Sequence, residues 1–334
     1  MPQPRVLVTG ATGLVGSAIV RALLERTCPV RVLVRSSERA RALFGSSAEI
    51  SVGDLRDAAS LRPACAGIAQ IYHVAGAVDT HRHGDAEILD TNVDGTRRLL
   101  EAALAARVRR VVYTSSVSVY GDRLPLGVAE DAPVNPAGIY GASKVRAEQL
   151  AQDAVAAGLH VMIVRPCIVY GSGDRYFMPQ AVQVARLPVI PLPDGGRHVV
   201  DLVHADDLAA AHLLVMEAGQ SGVAYNVTDG GCHHAGDLIR WVAEGLHRSP
   251  WLPSIPWWFA ACIRPLINVV GRACGRPDFA HFGRQELDGL FSDYHFDISK
   301  IAALGYAARI AARAGLRSEL QRSIDASGHA CRPA

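Results

Sequence analysis

Tyr140 and Lys144 are the first residues whose types and spacing suggest chemistry. They lie four positions apart at the start of a run rich in Ala, Glu, Gln and Arg that reads as a helix from Tyr140 to Ala157. That spacing brings phenol and ammonium to one helix face. Lys144 and Lys300 are the chain's two lysines, against 32 arginines, so a lysine at this spacing is not a generic surface cation. A free phenol, with a pKa of about 10, is a poor base at neutral pH. An adjacent ammonium favours the phenolate and makes it a workable proton acceptor. Such a pair suits the interconversion of a secondary alcohol and a ketone, in which a hydride moves at carbon and a proton at oxygen. Upstream, Arg110–Ser115 is a strand-like run, and the stretch ends in Thr114, Ser115 and Ser116. A hydroxyl at the end of a strand can hold the reacting oxygen.

A second constellation precedes these residues. Arg5–Thr9 is a short β-branched run that stops at glycine, and Gly16–Arg26 has apolar residues at helical spacing. Gly10, Thr12, Gly13, Leu14, Val15 and Gly16 lie in the turn between them, the context in which spaced glycines mark a dinucleotide site. Gly10 permits the tight turn, Gly13 lets a pyrophosphate approach the backbone, and Gly16 lets helix and strand pack closely. The helix N-terminus supplies N–H donors and partial positive charge. Where the second strand ends, a carboxylate would serve the ribose of NAD. The sequence has Arg35 and Ser36 there instead, which suits the 2′-phosphate of NADP. NADP(H) is therefore the expected cofactor, with NAD(H) as the alternative. Asp54 and Leu55, after the third strand, are expected to flank the adenine. Val74, Ala75 and Gly76, after the fourth, are expected to line the cofactor's middle.

Strand-like runs at Arg5–Thr9, Val30–Val34, Ile50–Val52, Gln70–Ala75, Arg110–Ser115 and His160–Arg165 alternate with helical ones, among them Ala86–Ala106. This rhythm predicts an α/β fold, a Rossmann-type doubly wound parallel sheet, with a smaller C-terminal substrate-binding cap. The expected boundaries are 1–166 for the dinucleotide-binding domain, with 198–230 returning to it, and the rest of 167–334 for the cap. The 334 residues are 49% hydrophobic and 20% charged, with a net charge of +2, which offers no argument for a nucleic-acid partner. Seven cysteines without a CxxC pair read as free thiols, and the expectation is a cytoplasmic protein. His81, His83, His233 and His234 lack thiol or carboxylate partners at ligand spacing, so no metal is expected. Trp251–Val270 is the most apolar stretch. Arg264, Pro265 and Asn268 interrupt it short of the roughly 18–20 apolar residues a transmembrane helix needs. It suits a lid over an apolar substrate, a peripheral membrane contact, or a helix packed on the core or a second subunit.

Taken together, TGATGLVG at 9–16, HVAG at 73–76, YTSSVSVYG at 113–121, YGASK at 140–144 and RPCIVYGSGD at 165–174 resemble the extended short-chain dehydrogenase/reductase superfamily. The resemblance runs from about Arg5 to Tyr306. It implies Tyr140 as general acid/base, Lys144 as the residue that tunes it and binds the ribose, and Ser116 as the oxygen-binding hydroxyl, with Ser115 as its neighbour. It implies that Asn92 shapes the active-site end of its helix. It also implies cofactor contacts from Thr114, Ser115, Pro166, Cys167, Ile168 and Val169. Nucleotide-sugar enzymes of the superfamily resemble one another in an asparagine and an arginine near the substrate diphosphate; the matching positions here hold Ile168 and Val200, although Arg197 lies three residues before Val200. The tail Tyr294–Lys300 followed by Leu304-Gly305-Tyr306 is similar to the 3β-hydroxysteroid dehydrogenase-like branch. The expected function is thus an NAD(P)-dependent oxidoreductase acting on an apolar, sterol-like or β-hydroxyacyl substrate. The alternative is a nucleotide-sugar 4-epimerase or dehydratase with bound NAD. Asp79, His81, Tyr170, Phe177 and Met178, with Ser116, are expected to touch substrate. The resemblance further implies a homodimer built through the Ala86–Ala106 and Tyr140–Ala157 helices.

Overall fold

A computed structural model describes residues 4–78, 84–122, 124–256, 258–259 and 293–329. Asp79, His81, His83, Trp257 and the greater part of Trp251–Val270 lie outside the described residues. In chain order the first half forms β1 (Val6–Thr9), α1 (Leu14–Glu25), β2 (Val30–Val34), α2 (Ser37–Phe44), β3 (Glu49–Val52), α3 (Ala58–Cys65), β4 (Gln70–His73), α4 (Asp85–Leu89), α5 (Gly95–Ala105), β5 (Arg110–Thr114), α6 (Gly138–Ala156) and β6 (His160–Pro166). The second half adds β7 (Ile168–Tyr170), α7 (Phe177–Ala185), β8 (Leu192–Pro193), β9 (Leu202–His204), α8 (Ala205–Ala218), β10 (Ala224–Val227), α9 (Ala235–Gly245), β11 (Ser254–Ile255), α10 (Ser299–Ala302) and α11 (Ala312–His329).

Seven strands pair in the order β10-β6-β5-β4-β1-β2-β3, all parallel. Helices cover both faces, so the strands carry near-continuous apolar runs. Val6 and Val8 of β1 serve one core layer and Leu7 the other; in β5, Val112 serves the first and Val111 and Tyr113 the second. The chain order reverses between β1 and β4. Their carboxyl ends therefore diverge into a crevice, where such sheets bind ligands. The glycine turn after β1 and the Val74–Gly76 segment after β4 meet there. In the second half, β7 pairs with β9 and β8 with β11. Tyr170, Met178, Leu202, Leu238, Val242, Leu316 and Leu320 build a third core.

Two elements depart from the sequence pattern. The expected helix over Ala86–Ala106 is divided into α4, a π turn at Asp90–Asp94, and α5. The backbone stays helical on both sides, at Leu89 and Gly95. The wide turn swings the buried Asn92 inward. There its amide donates to the Ala77 carbonyl at 2.8 Å and Ser143 Oγ at 3.0 Å, and accepts from the Ala77 N–H at 2.7 Å. π turns of this kind recur at functional sites. The fourth strand ends at His73 rather than Ala75 because Thr9 Oγ1 takes the N–H groups of Val74 and Ala75, each at 3.1 Å.

Candidate active site

Serine 116 follows β5 and caps the short 3-10 turn Val117–Val119, its Oγ accepting the Ser118 N–H at 3.1 Å. Its hydroxyl faces the Tyr140 phenol and holds it down against burial, and α6 presents that phenol from its first turn. Lys144, one turn further along α6, is 4% exposed. Its Nζ donates to the Thr114 carbonyl at 2.9 Å and lies 5.7 Å from the Tyr140 ring centroid. Ser116, Tyr140 and Lys144 thus converge at the carboxyl edge of the sheet, beside the crevice.

The electrostatics differ from the sequence expectation. Burial pushes the Tyr140 phenol up to about 12, opposed by the Ser116 hydrogen bond. Burial also pulls Lys144 down to about 8, opposed by the Glu148 carboxylate. The anticipated net lowering of the phenol does not occur, because removal of water, with Tyr176 adding to it, outweighs the influence of Ser116. The protonated phenol is the form this environment holds.

A cavity of about 170 Å³ adjoins Tyr140, lined by Val78, Ser118, Gly121, Asp122, Ala137 and Tyr294. Tyr294 donates to Asp122 Oδ1 at 2.9 Å. It arrives from far along the chain because the Tyr294 backbone pairs with Val199 and Asp201. Neither Tyr294 nor Asp122 was legible as a site residue; no local pattern announces a wall contributed from 172 residues away.

The glycine turn fits a dinucleotide. Gly10 has φ +68°, and a Cβ on it would lie 2.7 Å from the Ala75 nitrogen; a Cβ on Gly16 would lie 2.2 Å from the Gly10 carbonyl oxygen. Gly13 caps α1 without a side-chain hydrogen bond, and the first turn holds no carboxylate. That helix pole is therefore open to a phosphate. Ser36 caps α2, accepting the Arg39 N–H, and Arg39 donates to the Thr12 carbonyl at 3.1 Å. Asp54 is gripped by Arg56, whose hydrogen bonds hold its carboxyl below the usual range, with Arg35 adding to the effect. Leu55 is buried, with its Cβ 2.8 Å from where a Gly95 Cβ would stand. Gly76 borders both Asn92 and Lys144. Thr114 and Ser115 are buried, and Ser115 Oγ has no hydrogen-bond partner among the described residues. Pro166 ends β6 beside Val227, while Ile168 and Val169 are half-buried in β7. Cys167 is buried, and burial raises its thiol, so no reactive thiolate stands beside the site.

His73 is a positioning residue that sequence reasoning missed. Thr9 Oγ1 already accepts two N–H groups, so its proton goes to His73 Nδ1 at 2.9 Å. His73 Nε2 must then carry the ring proton and donate to Thr96 Oγ1 at 2.9 Å, and Thr96 donates to the Asn92 carbonyl at 2.7 Å. Full burial pulls the imidazole down to about 3, keeping it neutral. One chain of hydrogen bonds thereby ties the glycine turn to the Asn92 turn.

Three expected substrate residues are not brought to Tyr140. Tyr170 is 0% exposed; pairing of β7 with β9 turns its ring into the cap core, edge-on to His204 with centroids 5.2 Å apart. Met178 lines a separate cavity of about 330 Å³ with Gly171, Asp174, Glu319 and Arg322. Phe177 packs half-buried on the cap core. Asp79 and His81 lie outside the described residues. Among the described residues, no group of three His, Cys, Asp or Glu side chains could hold a metal ion, and no helix is long and apolar enough to cross a membrane.

Residues 6–228 match the NAD-dependent epimerase/dehydratase family. The chain belongs to this family. It is 35% identical over 229 residues, 68% of each protein, to the 4-hydroxy-2-methyl-3-oxo-4-farnesyl-3,4-dihydroquinoline-1-oxide ketoreductase of Stigmatella aurantiaca. It is also 35% identical over 257 residues, 71% of this chain and 73% of the relative, to sterol demethylase protein B of Methylococcus capsulatus. Among solved structures it superposes on the dTDP-glucose 4,6-dehydratase DesIV of Streptomyces venezuelae with a TM-score of 0.78 and 26% identity, over 97% of this chain and 98% of that one. The fold is therefore the Rossmann-like fold of this family, and the protein is an enzyme of the short-chain dehydrogenase/reductase type that binds NAD-type cofactors. Membership alone leaves oxidoreductase and epimerase chemistry both open.

Proposed function

We propose that this enzyme interconverts a secondary alcohol and a ketone on an apolar, sterol-like or β-hydroxyacyl substrate, with NADP(H) preferred, as a member of the 3β-hydroxysteroid dehydrogenase-like branch. The carrying observation is the convergence of Ser116, Tyr140 and Lys144 at the carboxyl edge of the sheet, with Lys144 Nζ 5.7 Å from the Tyr140 ring centroid and fixed on the Thr114 carbonyl. Bound NADP(H) supplies or accepts the hydride. In the reductive direction the Tyr140 hydroxyl gives its proton to the substrate oxygen while the Ser116 hydroxyl holds that same oxygen. Lys144, anchored to the Thr114 carbonyl, lies beside the phenol and favours its charged form once that proton has left. The reverse reaction returns the proton to Tyr140. Gly13 admits the pyrophosphate to the α1 pole, which the Gly10 turn and the close packing at Gly16 position, and Arg35 and Ser36 receive the 2′-phosphate.

The apolar substrate is supported at the two positions where a diphosphate would be met. Val200 is 2% exposed and part of the cap core; Ile168 is apolar and half-buried. Arg197 is exposed and donates from its Nε to the Asp194 carbonyl of its own turn. The names of the two 35% relatives, a ketoreductase on a farnesylated ring and a sterol-processing protein, agree with an apolar substrate. The likeness to a dTDP-sugar dehydratase supports the second reading, a nucleotide-sugar 4-epimerase or dehydratase with NAD. The domain division at about residue 166, a homodimer through the α4–α5 and α6 helices, and a cytoplasmic location belong to the proposal.

The test follows NADPH consumption with a long-chain β-keto acid and a 3-ketosteroid. Tyr140→Phe is expected to lose about 10²–10⁴-fold in rate, the usual contribution of a general acid. Activity retained within a few-fold in that variant overturns the mechanism. Thermal stabilisation by UDP or dTDP, with none from the apolar ketones, promotes the nucleotide-sugar reading.

A further inference from the structure

We propose that the buried Glu148–Arg165 ion pair is the positioning device for Lys144: the carboxylate holds the ammonium charged from one turn along α6, and the guanidinium, reaching across from β6, keeps that carboxylate from capturing it. Tyr140, Lys144 and Glu148 follow at four-residue intervals and share one face of α6. Arg165 Nη2 and Nε grip Glu148 Oε2 and Oε1 at 2.6 Å and 2.9 Å, and both side chains are buried. Arg165 Nη1 is spent on the Tyr120 hydroxyl at 2.7 Å and the Glu130 carbonyl at 3.1 Å. The guanidinium is thus fixed, and through it the carboxylate.

Among the described residues, the other groups facing Lys144 carry no charge at neutral pH. Tyr113 from β5, 5.2 Å from Nζ to the ring centroid, is pushed far up by burial; His73 from β4 is held near 3; Tyr140 stands at about 12. The π turn brings the uncharged Asn92. Glu148 is therefore the anion that opposes the burial of the ammonium. A lysine and a glutamate four apart on a helix ordinarily close on each other. Here the bidentate arginine holds the carboxylate while Nζ stays on the Thr114 carbonyl, beside Tyr140 and Gly76. Without Glu148, the bare guanidinium would push the ammonium toward its neutral form. Without Arg165, Glu148 would draw Nζ away from the site.

The inference rests on Lys144 serving the proposed active site, but its test reads the lysine itself and needs no substrate. With two lysines in the chain, ¹³Cε-lysine labelling yields two resonances, and Lys300→Arg assigns them. The Lys144 resonance is titrated in wild type, Glu148→Gln and Arg165→Met. Wild type is expected to titrate near 8. Glu148→Gln is expected to lower the midpoint by at least about one pH unit, and Arg165→Met to raise it by a similar amount. Loss of structure cannot imitate the first result, because an unfolded lysine titrates at about 10.4. Arg165→Lys, which keeps the charge and adds a third resonance that comparison with the Arg165→Met spectrum identifies, should return the Lys144 midpoint most of the way. If Glu148→Gln does not fold, the double variant Glu148→Met with Arg165→Met keeps the site neutral and should also lower the midpoint. A midpoint unmoved, or raised, on loss of the Glu148 charge in folded protein overturns the proposal.

Discussion

Alanine at Gly16 tests the cofactor groove at its tightest point. The added Cβ would stand 2.2 Å from the Gly10 carbonyl oxygen, 2.7 Å from the Gly10 carbonyl carbon and 3.0 Å from the Ala11 Cα. Relief requires an opening of about 1 Å or more. All three neighbours are backbone atoms, so no side chain can rotate away. Gly10 cannot retreat either, since its own hydrogen-for-Cβ position faces the Ala75 nitrogen at 2.7 Å. The strain must therefore lift α1, whose Ile19, Val20 and Leu23 pack on the sheet. Overpacking of this kind costs about 1–3 kcal/mol. In a chain this size, each kcal/mol lowers Tm by about 2–4 °C. Gly16→Ala is thus expected to melt about 2–12 °C lower without cofactor. The displaced helix pole should also weaken NADPH binding at least tenfold, about 1.4 kcal/mol. Differential scanning fluorimetry and a nucleotide-fluorescence titration read the two effects. Gly45→Ala is the control, because that glycine has φ +57° but nothing within 4 Å of an added Cβ; it should lower Tm and leave NADPH affinity alone. A Gly16→Ala protein with Tm within about 1 °C and affinity within twofold of wild type would refute the close-packed turn.

Acid should destabilise the fold through its buried imidazoles. Burial pulls His73 to about 3 and His212 to about 4 from 6.5. Between those values and 6.5 the unfolded chain binds more protons, so stability falls as pH drops, and between pH 7 and pH 4.5 each histidine accounts for about 2–3 kcal/mol of the loss. His212→Gln should therefore lose less stability than wild type between pH 7 and pH 4.5 in urea unfolding; an equal loss would contradict the assignment. Arg35→Ala should weaken NADPH about tenfold more than NADH, the scale of one charge-assisted hydrogen bond; parallel losses for both cofactors would count against NADP preference.

Much of the site was readable because it is local. The Tyr140–Lys144 face follows from helical geometry, and the glycine turn from its place between β1 and α1. The parallel sheet follows from alternating apolar runs. The expected Ala86–Ala106 helix lost its regularity at Asn92, because hydrogen bonds to Ala77 and Ser143 outweigh the ordinary helical pattern there. Tyr170 looked like a pocket residue from its place after β6, yet the pairing of β7 with β9 buries it.

The sequence by itself determined the sheet, the glycine turn between β1 and α1, and the shared helix face of Tyr140 and Lys144, since each depends on neighbours within a few positions. Tertiary structure alone decided the environment of those residues. Glu148 and Arg165 lie 17 residues apart, Thr9 and His73 lie 64 apart, and Tyr294 reaches Asp122 across 172. Charge state, tautomer and pocket wall depend on which groups exclude water from which others. That exclusion exists only once separate strands and helices have packed together.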